Sequence, residues 1–246
     1  MLPAIWLLAL DTSTPSTALA LGRIAREHGS SERVACATHD DLARPASSLL
    51  AARISALLAE AGIGPRDLGA VACGVGPGTF TGTRVALATA KGLAFALRCP
   101  LFALSTLAAL AASRAADGPV LALLDARRAE VYAARFDLGP AGPRRVGPDL
   151  CCPIEHVLSD LSESPGLQAV GPGAAVHAAA LTAAGCAHLH PATGVEAIGL
   201  WRAAALAALE DAPADLAAVD AVYLRASYAE LGTNTPRRAQ HRSPFV

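Results

Sequence analysis

Hydrophobic and polar positions divide the chain into short apolar runs and longer stretches with a helical period. Three runs near the N-terminus have the length of strands, at residues 5–10, 17–21 and 33–38. The polar segment 11–16 separates the first two runs and is typical of a turn. Residues 46–61 instead place apolar side chains three and four positions apart, which predicts an amphipathic helix that ends at Gly62.

A glycine-rich segment, residues 74–84, lies between an apolar run at 70–73 and an alanine-rich helix predicted for residues 85–97. Glycines allow a ligand or another backbone to approach closely, and the helix that follows begins with free N–H groups. The segment has no lysine after Gly82, so it is not a P-loop, and its glycines do not match Gly-x-Gly-x-x-Gly. Two interpretations stay open: a binding loop, or glycines that only permit tight packing of the helix on the strand.

The pattern of elements repeats in the second part of the chain. After a strand predicted at 101–104 and a helix at 105–114, residues 117–119 are predicted to form a turn. Residues 120–127 then mirror residues 7–12, with Asp125 in the place of Asp11. The rest of this second unit is predicted to contain strands at 130–136, 145–150 and 167–171 and helices at 153–161, 174–184 and 196–210.

Two copies of three strands, helix, strand and helix predict mixed sheets with helices outside them. This duplicated order is typical of the actin, sugar-kinase and chaperone ATPase class. We therefore predict an α/β, actin-like ATPase (ribonuclease H-like) fold of two related βββαβα halves, residues 1–117 and 118–231. Residues 232–246 are polar and basic, and we expect them to form a mobile tail.

Composition limits the classes of function. The chain has 246 residues, of which 53% are hydrophobic, largely because of alanine. The uncharged segment 99–113 is shorter than the roughly 20 residues of a membrane span. Residues 1–10 lack a basic leader and are followed directly by Asp11, which favours a first strand over a signal peptide. A net charge of −1 provides no global attraction to nucleic acid or membrane. The six cysteines are scattered, so we expect reduced thiols and a cytoplasmic protein that contacts no membrane.

Several segments, taken in order, carry a resemblance to a known family. They are Leu10-Asp11-Thr12-Ser13-Thr14, residues 74–84, Ala90-Lys91-Gly92-Leu93-Ala94, Asp125-Ala126-Arg127-Arg128-Ala129-Glu130-Val131-Tyr132 and Tyr223-Leu224-Arg225. On these segments the chain strongly resembles the bacterial TsaB family. These proteins are non-catalytic subunits of the machinery that installs threonylcarbamoyl on the tRNA adenosine beside the anticodon.

The resemblance implies partners rather than chemistry. It implies a heterodimer with the catalytic subunit TsaD, joint work with the ATPase TsaE, and contact with tRNA mainly through the complex. It implies no cofactor of its own, although a nucleotide is possible at the complex interface. The family often has His-Ser-Glu before its first helix, where this chain has Ala46-Ser47-Ser48, so the family's contacts at that helix start are not carried over to this chain.

The resemblance also maps the partner interface onto two helices of the N-terminal half, residues 46–61 and 83–97. The side chains assigned to this interface are Leu49, Leu50, Arg53, Ile54, Leu57, Leu58, Arg84, Ala88, Lys91 and Phe95. On the second helix the small neighbours of these residues would let a partner helix approach closely. The alternative is that both helices only cover the sheet, which requires one apolar face from each.

Candidate chemistry is sparse. Asp11, Thr12 and Ser13 are tentative nucleotide-binding residues, because related kinases hold a phosphate at such a turn; the alternative is a capped β-turn. The comparable turn at residues 125–128 has no glycine and carries two arginines, which indicates a degenerate ATP site. Cys186, His188 and His190 form the only cluster that resembles a metal site, but no fourth ligand lies nearby in sequence. We predict no metal and no catalytic residue.

Two other functions are alternatives to the scaffold subunit. A small-molecule kinase of the same fold would need ATP turnover, against which the glycine-free second turn argues. A metallopeptidase would need paired histidines, and none of the seven histidines has the His-x-x-x-His spacing. A symmetric homodimer through the same helices is compatible with the scaffold prediction when the partner is absent.

Overall fold

A computed structural model describes residues 4–25, 27, 29–40, 46–114, 117–140, 142–159 and 166–225 of the chain. The first group of elements comprises β1 (Ile5–Asp11), β2 (Ser16–Ala25), β3 (Ser30–Asp40), α1 (Ala46–Glu60), β4 (Leu68–Gly74), α2 (Phe80–Leu97), β5 (Leu101–Leu104) and α3 (Thr106–Ala112). The second group comprises β6 (Gly118–Arg127), β7 (Glu130–Gly139), β8 (Gly142–Pro153), α4 (Ile154–Ser159), β9 (Gln168–Val170), α5 (Pro172–Val176), α6 (Ala178–Ala183), β10 (His188–His190) and α7 (Ala197–Glu210).

Each group forms one five-stranded mixed sheet. The orders are β3-β2-β1-β4-β5 and, read from the equivalent edge, β8-β7-β6-β9-β10. In both sheets the first three strands pair antiparallel and the last two join in parallel. The predicted α/β, actin-like fold of two related halves with mixed sheets is therefore confirmed, and each half contains a fifth strand beyond its βββαβα core.

The continuous apolar runs of the central strands follow from burial on both faces. On β1, Leu7 and Ala9 pack in a cluster with α3 and α7, whereas Leu8 and Leu10 pack in another cluster with α1 and α2. On β6 the same alternation directs Leu121 and Leu123 into a third cluster with α4 to α6. A strand covered by helices on both faces needs no polar alternation, which is why these runs are apolar throughout.

The structure differs from the sequence prediction at several boundaries. Helix α2 begins at Phe80 rather than at residue 85, because the Thr79 side chain caps it by accepting a hydrogen bond from the Gly82 N–H. The turn predicted at 117–119 is wrong, since Gly118 and Pro119 already belong to β6 and pair with β7. The single helix predicted for residues 174–184 is two short helices that meet at His177.

The C-terminal tail, the cysteines and the membrane prediction compare with the structure as follows. The tail predicted for residues 232–246 lies outside the described residues. All six cysteines lie within the described part of the chain and are free thiols. No helix in the described ranges combines the length and the apolarity that a membrane crossing requires.

Candidate functional site

The turn between β1 and β2, the predicted nucleotide site, is closed by the glycine-rich segment. Asp11, Thr12 and Ser13 are only 0%, 2% and 1% exposed. The Ser13 N–H and hydroxyl both donate to Asp11 Oδ1, at 2.8 and 2.7 Å. The Thr12 hydroxyl donates to the Gly82 carbonyl at 2.6 Å, and the Thr79 N–H donates to the Ser13 carbonyl at 2.7 Å. The polar groups of the turn are thus bonded within the protein, as the capped-turn interpretation expects.

Three glycines make this closure possible. A Cβ at Gly74 would lie 1.7 Å from Asp11 Oδ2, and one at Gly82 would lie 1.8 Å from the Thr12 carbonyl oxygen. At Gly78 it would lie 2.4 Å from the Ser13 carbonyl oxygen. The packing interpretation accounts for these glycines. In this arrangement the polar groups of the turn bond within the protein, and the nucleotide contact predicted for these residues stays a prediction.

Burial raises the pKa of the Asp11 carboxyl, an effect that hydrogen bonds from Ser13 and Thr106 partly oppose. Because the folded state then binds this proton more tightly than the unfolded chain, stability from this group falls as pH rises from about 4 through the raised pKa. An Asn side chain keeps an acceptor for Ser13 and removes the buried charge. We therefore expect the free energy of unfolding of Asp11→Asn, measured relative to wild type, to be higher at pH 8 than at pH 4.

Urea unfolding of both proteins at the two pH values measures this difference. The Asp125→Asn variant is the control, because Asp125 is exposed at the equivalent turn of the second sheet. If the free energy of unfolding of Asp11→Asn relative to wild type were lower at pH 8 than at pH 4, the result would contradict the closed-turn geometry. That result would show that the ionised Asp11 carboxylate is stabilised, as in a kinase site with a bound cation.

The equivalent turn between β6 and β7 has a different construction. Arg127, Arg128 and Ala129 have φ values of 61°, 56° and 61°, in the left-handed region. Such a conformation costs about 1–2 kcal/mol per non-glycine residue. The Arg127 N–H donates to Asp125 Oδ1 at 2.7 Å, and Arg225 donates to the Ala126 carbonyl at 2.8 Å. The turn is therefore held in a strained conformation, with both arginine side chains exposed.

The chain beyond α7 forms an extended segment along α2, which we call the strap, residues 211–225. The Ala214 N–H donates to the Leu101 carbonyl and the Val222 N–H donates to the Val75 carbonyl, each at 2.7 Å. Apolar strap residues pack on the cluster beneath α1 and α2: Leu216, Val219, Ala221 and Val222. At its end, Arg225 forms an ion pair with Glu130 of β7. The strap thus connects the first sheet to the β6–β7 turn of the second.

Four of the predicted interface residues lie in the core of the protein itself. Their exposures are low and they pack against β1, β2 and β4: Leu50 2%, Ile54 6%, Leu57 3% and Leu58 2%. This corrects the prediction for these residues, because a side chain buried under its own sheet presents no surface to a partner. On α1, Leu49 and Arg53 are half-buried and border the outer face. The side chains of Ala46 and Ser47, where the chain departs from the family pattern, lie outside the description.

On α2, two more of the predicted interface residues form hydrogen bonds within the protein. Arg84 Nε donates to the Tyr223 hydroxyl at 2.7 Å, and Lys91 Nζ donates to the Val219 carbonyl at 3.0 Å. Both residues therefore hold the strap, a role that the sequence did not suggest. Ala88 is exposed and Phe95 is 79% exposed, so these two remain available on the outer face.

The outer face of α1 and α2 consists mostly of small side chains. Ala52 and Ala56 on α1 are exposed, as are Ala88, Gly92 and Ala96 at four-residue spacing on α2. A Cβ at Gly92 would meet nothing within 4 Å. Sequence reasoning missed Ala52, Ala56 and Ala96, although their positions opposite the buried leucines and alanines were a usable signal. We call this surface the α1–α2 face.

The metal-like cluster of the second sheet has ordinary structural contacts. The Cys186 thiol donates to the Leu167 carbonyl at 3.2 Å, and burial raises its pKa. His188 and His190 lie on β10 at the sheet edge, with ring centroids 6.3 Å apart. Within the described ranges, no three His, Cys, Asp or Glu side chains are placed to hold a metal ion.

Comparisons with known proteins point to one family. A family model described as TsaD, tRNA N6-adenosine threonylcarbamoyltransferase, matches residues 40–169. The chain is 36% identical over 167 residues to an uncharacterized protein of Mycobacterium tuberculosis, which covers 67% of this chain and 71% of that protein. It is 33% identical over 158 residues to the tRNA threonylcarbamoyladenosine biosynthesis protein TsaB of Bacillus subtilis, covering 64% and 66%.

The fold comparison agrees with the sequence comparison. The structure of YeaZ from Pseudomonas aeruginosa superposes with a TM-score of 0.75 at 29% identity, covering 89% of this chain and 100% of that one. A second structure from Pseudomonas aeruginosa, described as an uncharacterized protein with similarity to peptidase YEAZ, gives a TM-score of 0.77 at the same identity. It covers 90% of this chain and all of its own.

Proposed function

The chain belongs to the TsaB family, and from this membership we propose that it acts in tRNA threonylcarbamoyladenosine biosynthesis as a non-catalytic scaffold subunit. In this proposal it pairs with the transferase subunit TsaD, and the pair works with the ATPase TsaE. The named relatives that carry the proposal are biosynthesis proteins TsaB of Bacillus subtilis, Haemophilus influenzae and Escherichia coli.

The observation that carries the pairing is the α1–α2 face. Phe95 projects 79% exposed from a surface of alanines and a glycine, in a protein whose other large apolar side chains are mostly buried. Small side chains at four-residue spacing let a partner helix approach closely, and an exposed aromatic ring is a frequent anchor in interfaces. Arg84 and Lys91 lie along the same helix and would border the contact. The face therefore fits a helical partner better than solvent.

The absence of chemistry in this subunit is also part of the proposal. Its support is the closed β1–β2 turn, where Asp11 is bonded to Ser13 and packed against Gly74. The strained β6–β7 turn carries arginines and no glycine, whereas a phosphate-binding loop needs glycines for close approach to its backbone. A small-molecule kinase would need both turns open to ATP. A nucleotide at the joint interface with TsaD remains compatible with the proposal.

As a mechanism, we propose that the subunit holds TsaD in an active conformation through paired helices. Buried side chains of α1 and α2 pack together on the first sheet. The strap holds the outer part of α2 through its hydrogen bonds with Arg84 and Lys91. A rigid face reduces the conformational entropy that is lost on binding. The joint surface would then help to form the docking site for TsaE.

Co-purification with TsaD from the same organism tests the pairing. Because Ala88 is exposed on the α1–α2 face, where only small side chains permit close approach, Ala88→Arg is expected to weaken the complex about 100-fold or more, as for an interface hot spot. The matched control is Ala179→Arg, which places the same side chain at an exposed alanine of α6 on the second sheet. Circular dichroism would establish that both variants are folded.

The outcomes separate the candidate functions. A 1:1 complex that only Ala88→Arg abolishes supports the scaffold subunit. A homodimer that forms alone and exchanges for TsaD through the same face is also in agreement with it. If the folded wild-type protein never binds TsaD, the proposal is wrong, and ATP turnover with small-molecule acceptors would then test the kinase alternative.

A further inference from the structure

An exposed cluster of arginine and aromatic side chains lies beyond the α1–α2 face, where the strap crosses from α2 to the β6–β7 turn. We propose that this cluster, formed by Phe80, Arg84, Tyr223, Arg127 and Arg128, is a contact surface for single-stranded RNA. The proposal rests on the proposed function, because it assigns a direct tRNA contact to this subunit in addition to contacts made through its partner.

The first part of the cluster is a stacked platform at the start of α2. The Arg84 guanidinium carbon lies 3.6 Å from the centroid of the Phe80 ring, and Arg84 Nε donates to the Tyr223 hydroxyl. The Phe80 and Tyr223 ring centroids are 5.6 Å apart. Phe80 is nevertheless 49% exposed. An arginine fixed on an aromatic ring at the surface presents both a positive charge and a flat surface on which a base can stack.

The second part is the β6–β7 turn, which is held by Arg225, two residues after Tyr223 on the strap. Arg225 donates to the Ala126 carbonyl at 2.8 Å and to the Arg127 carbonyl at 3.3 Å. Because Tyr223 and Arg225 are adjacent but one, their Cα atoms lie within about 7 Å of each other. The strap therefore brings the exposed side chains of Arg127 and Arg128 to the same edge of the molecule as the platform.

Among the described residues of the platform and the turn, arginines outnumber carboxylates. The arginines are at positions 84, 127, 128 and 225, and the carboxylates are Asp125 and Glu130. Glu130 is paired with Arg225, and one oxygen of Asp125 accepts the Arg127 backbone N–H. Both acids therefore hold the turn in place, and the side chains of Arg127 and Arg128 are exposed beside them.

The conformation of the turn is also informative. Three successive residues are left-handed, a region that glycine or asparagine occupies more readily than arginine. Arginines at these positions lower the stability of the turn, but they place two outward cations beside an aromatic platform. Phosphate oxygens pair readily with arginine, and unstacked bases pack on aromatic and guanidinium planes. Single-stranded RNA offers both groups, whereas an acidic protein segment offers only the charge.

The test exploits the strain in the turn. The double variant Arg127→Gly/Arg128→Gly removes two cations at positions where glycine is conformationally favoured, so the protein is expected to remain folded. Binding of an unmodified tRNA transcript to the complex with TsaD is measured by fluorescence anisotropy over a range of salt concentrations. We expect affinity about tenfold lower, and a log K against log salt slope smaller in magnitude by about 1.4, for two lost single-strand phosphate contacts.

Two further variants define what the change means. Arg66→Gly removes an exposed arginine that precedes β4, at the other end of that strand from the glycine-rich segment and Phe80, and is expected to leave tRNA affinity unchanged. Phe80→Ala removes the stacking surface, so its affinity is expected to fall without a change in the salt slope. Equal tRNA affinity of wild type and the glycine variant, in an intact complex, would overturn the RNA contact and leave the scaffold function standing.

Two other outcomes are also decisive. A glycine variant that loses TsaD or TsaE but keeps its tRNA affinity would show that the arginines bind an acidic protein segment, and the proposal would be wrong. If wild type does not pair with TsaD at all, the scaffold function fails, and the titration is made on this chain alone. Salt-dependent tRNA binding that the glycine variant loses would then still support the RNA contact, and no binding would overturn it.

Discussion

Replacing Gly82 with alanine is expected to lower the free energy of unfolding by about 3 kcal/mol. The new Cβ would lie 1.8 Å from the Thr12 carbonyl oxygen and 2.6 Å from the Thr79 hydroxyl. The carbonyl belongs to the buried β1–β2 turn, which the Ser13 and Thr79 hydrogen bonds hold in place. Neither backbone can therefore move without breaking these bonds. The gain in helix propensity, about 1 kcal/mol, does not offset this clash.

Gly92→Ala is the matched control, since it lies in the same helix. Its Cβ would meet nothing within 4 Å, so the same substitution there is expected to stabilise the protein by up to about 1 kcal/mol. Urea denaturation of both variants and wild type measures the two effects. If Gly82→Ala proved as stable as Gly92→Ala, the glycine segment would not pack on the turn, and a binding loop open to a ligand would be the better interpretation.

Replacing Arg145 with methionine is expected to destabilise the protein by about 3 kcal/mol, because it leaves a buried carboxylate without its cation. Arg145 forms an ion pair with Asp149, whose side chain is 0% exposed. Burial lowers the pKa of Arg145 to about 10, so the guanidinium is still charged at neutral pH. It also donates to the Ser105 hydroxyl at 3.0 Å and lies 4.8 Å from the Phe136 ring centroid. One side chain thus joins β8 to the start of α3.

A double-mutant cycle separates charge from packing. Arg145→Met/Asp149→Asn is expected to recover about 2 kcal/mol of the loss, because the uncompensated charge is gone. The neighbouring Arg144→Met is the control. Its ion pair with Asp137 has side-chain exposures of 74% and 49%, and its removal is expected to change stability by less than about 1 kcal/mol. Equal effects of Arg144→Met and Arg145→Met would show that the ion pair with Asp149 is not buried.

Much of the fold follows from local sequence pattern. The apolar runs of β1 and β6, the helical period of α1 and the repeated order of elements were sufficient to predict two related mixed sheets. They were sufficient because strand and helix periods depend on neighbouring residues, and because a run buried on both faces has a recognisable composition. The boundaries were less well predicted, as at α2, where the start depends on the single hydrogen bond between Thr79 and Gly82.

The candidate site was predicted less well, because its contacts join residues far apart in sequence. The helical period of α1 identifies an apolar face, but not that its own sheet covers Leu50 and Ile54. Arg84 and Lys91 looked like interface residues until the strap brought Tyr223 and Val219 to them, 139 and 128 positions away. No local pattern could have predicted these two bonds.

The sequence by itself determined the elements, their repeated order and the family, since each depends on residues near one another or on segments in a fixed order. Only the tertiary structure decided which side chains stay at the surface. It closed the β1–β2 turn with glycines about 70 residues away, as the Thr12 to Gly82 bond shows, and brought the arginines of two sheets to one edge. Surface availability depends on what the rest of the chain covers, and that is a property of the whole packed molecule.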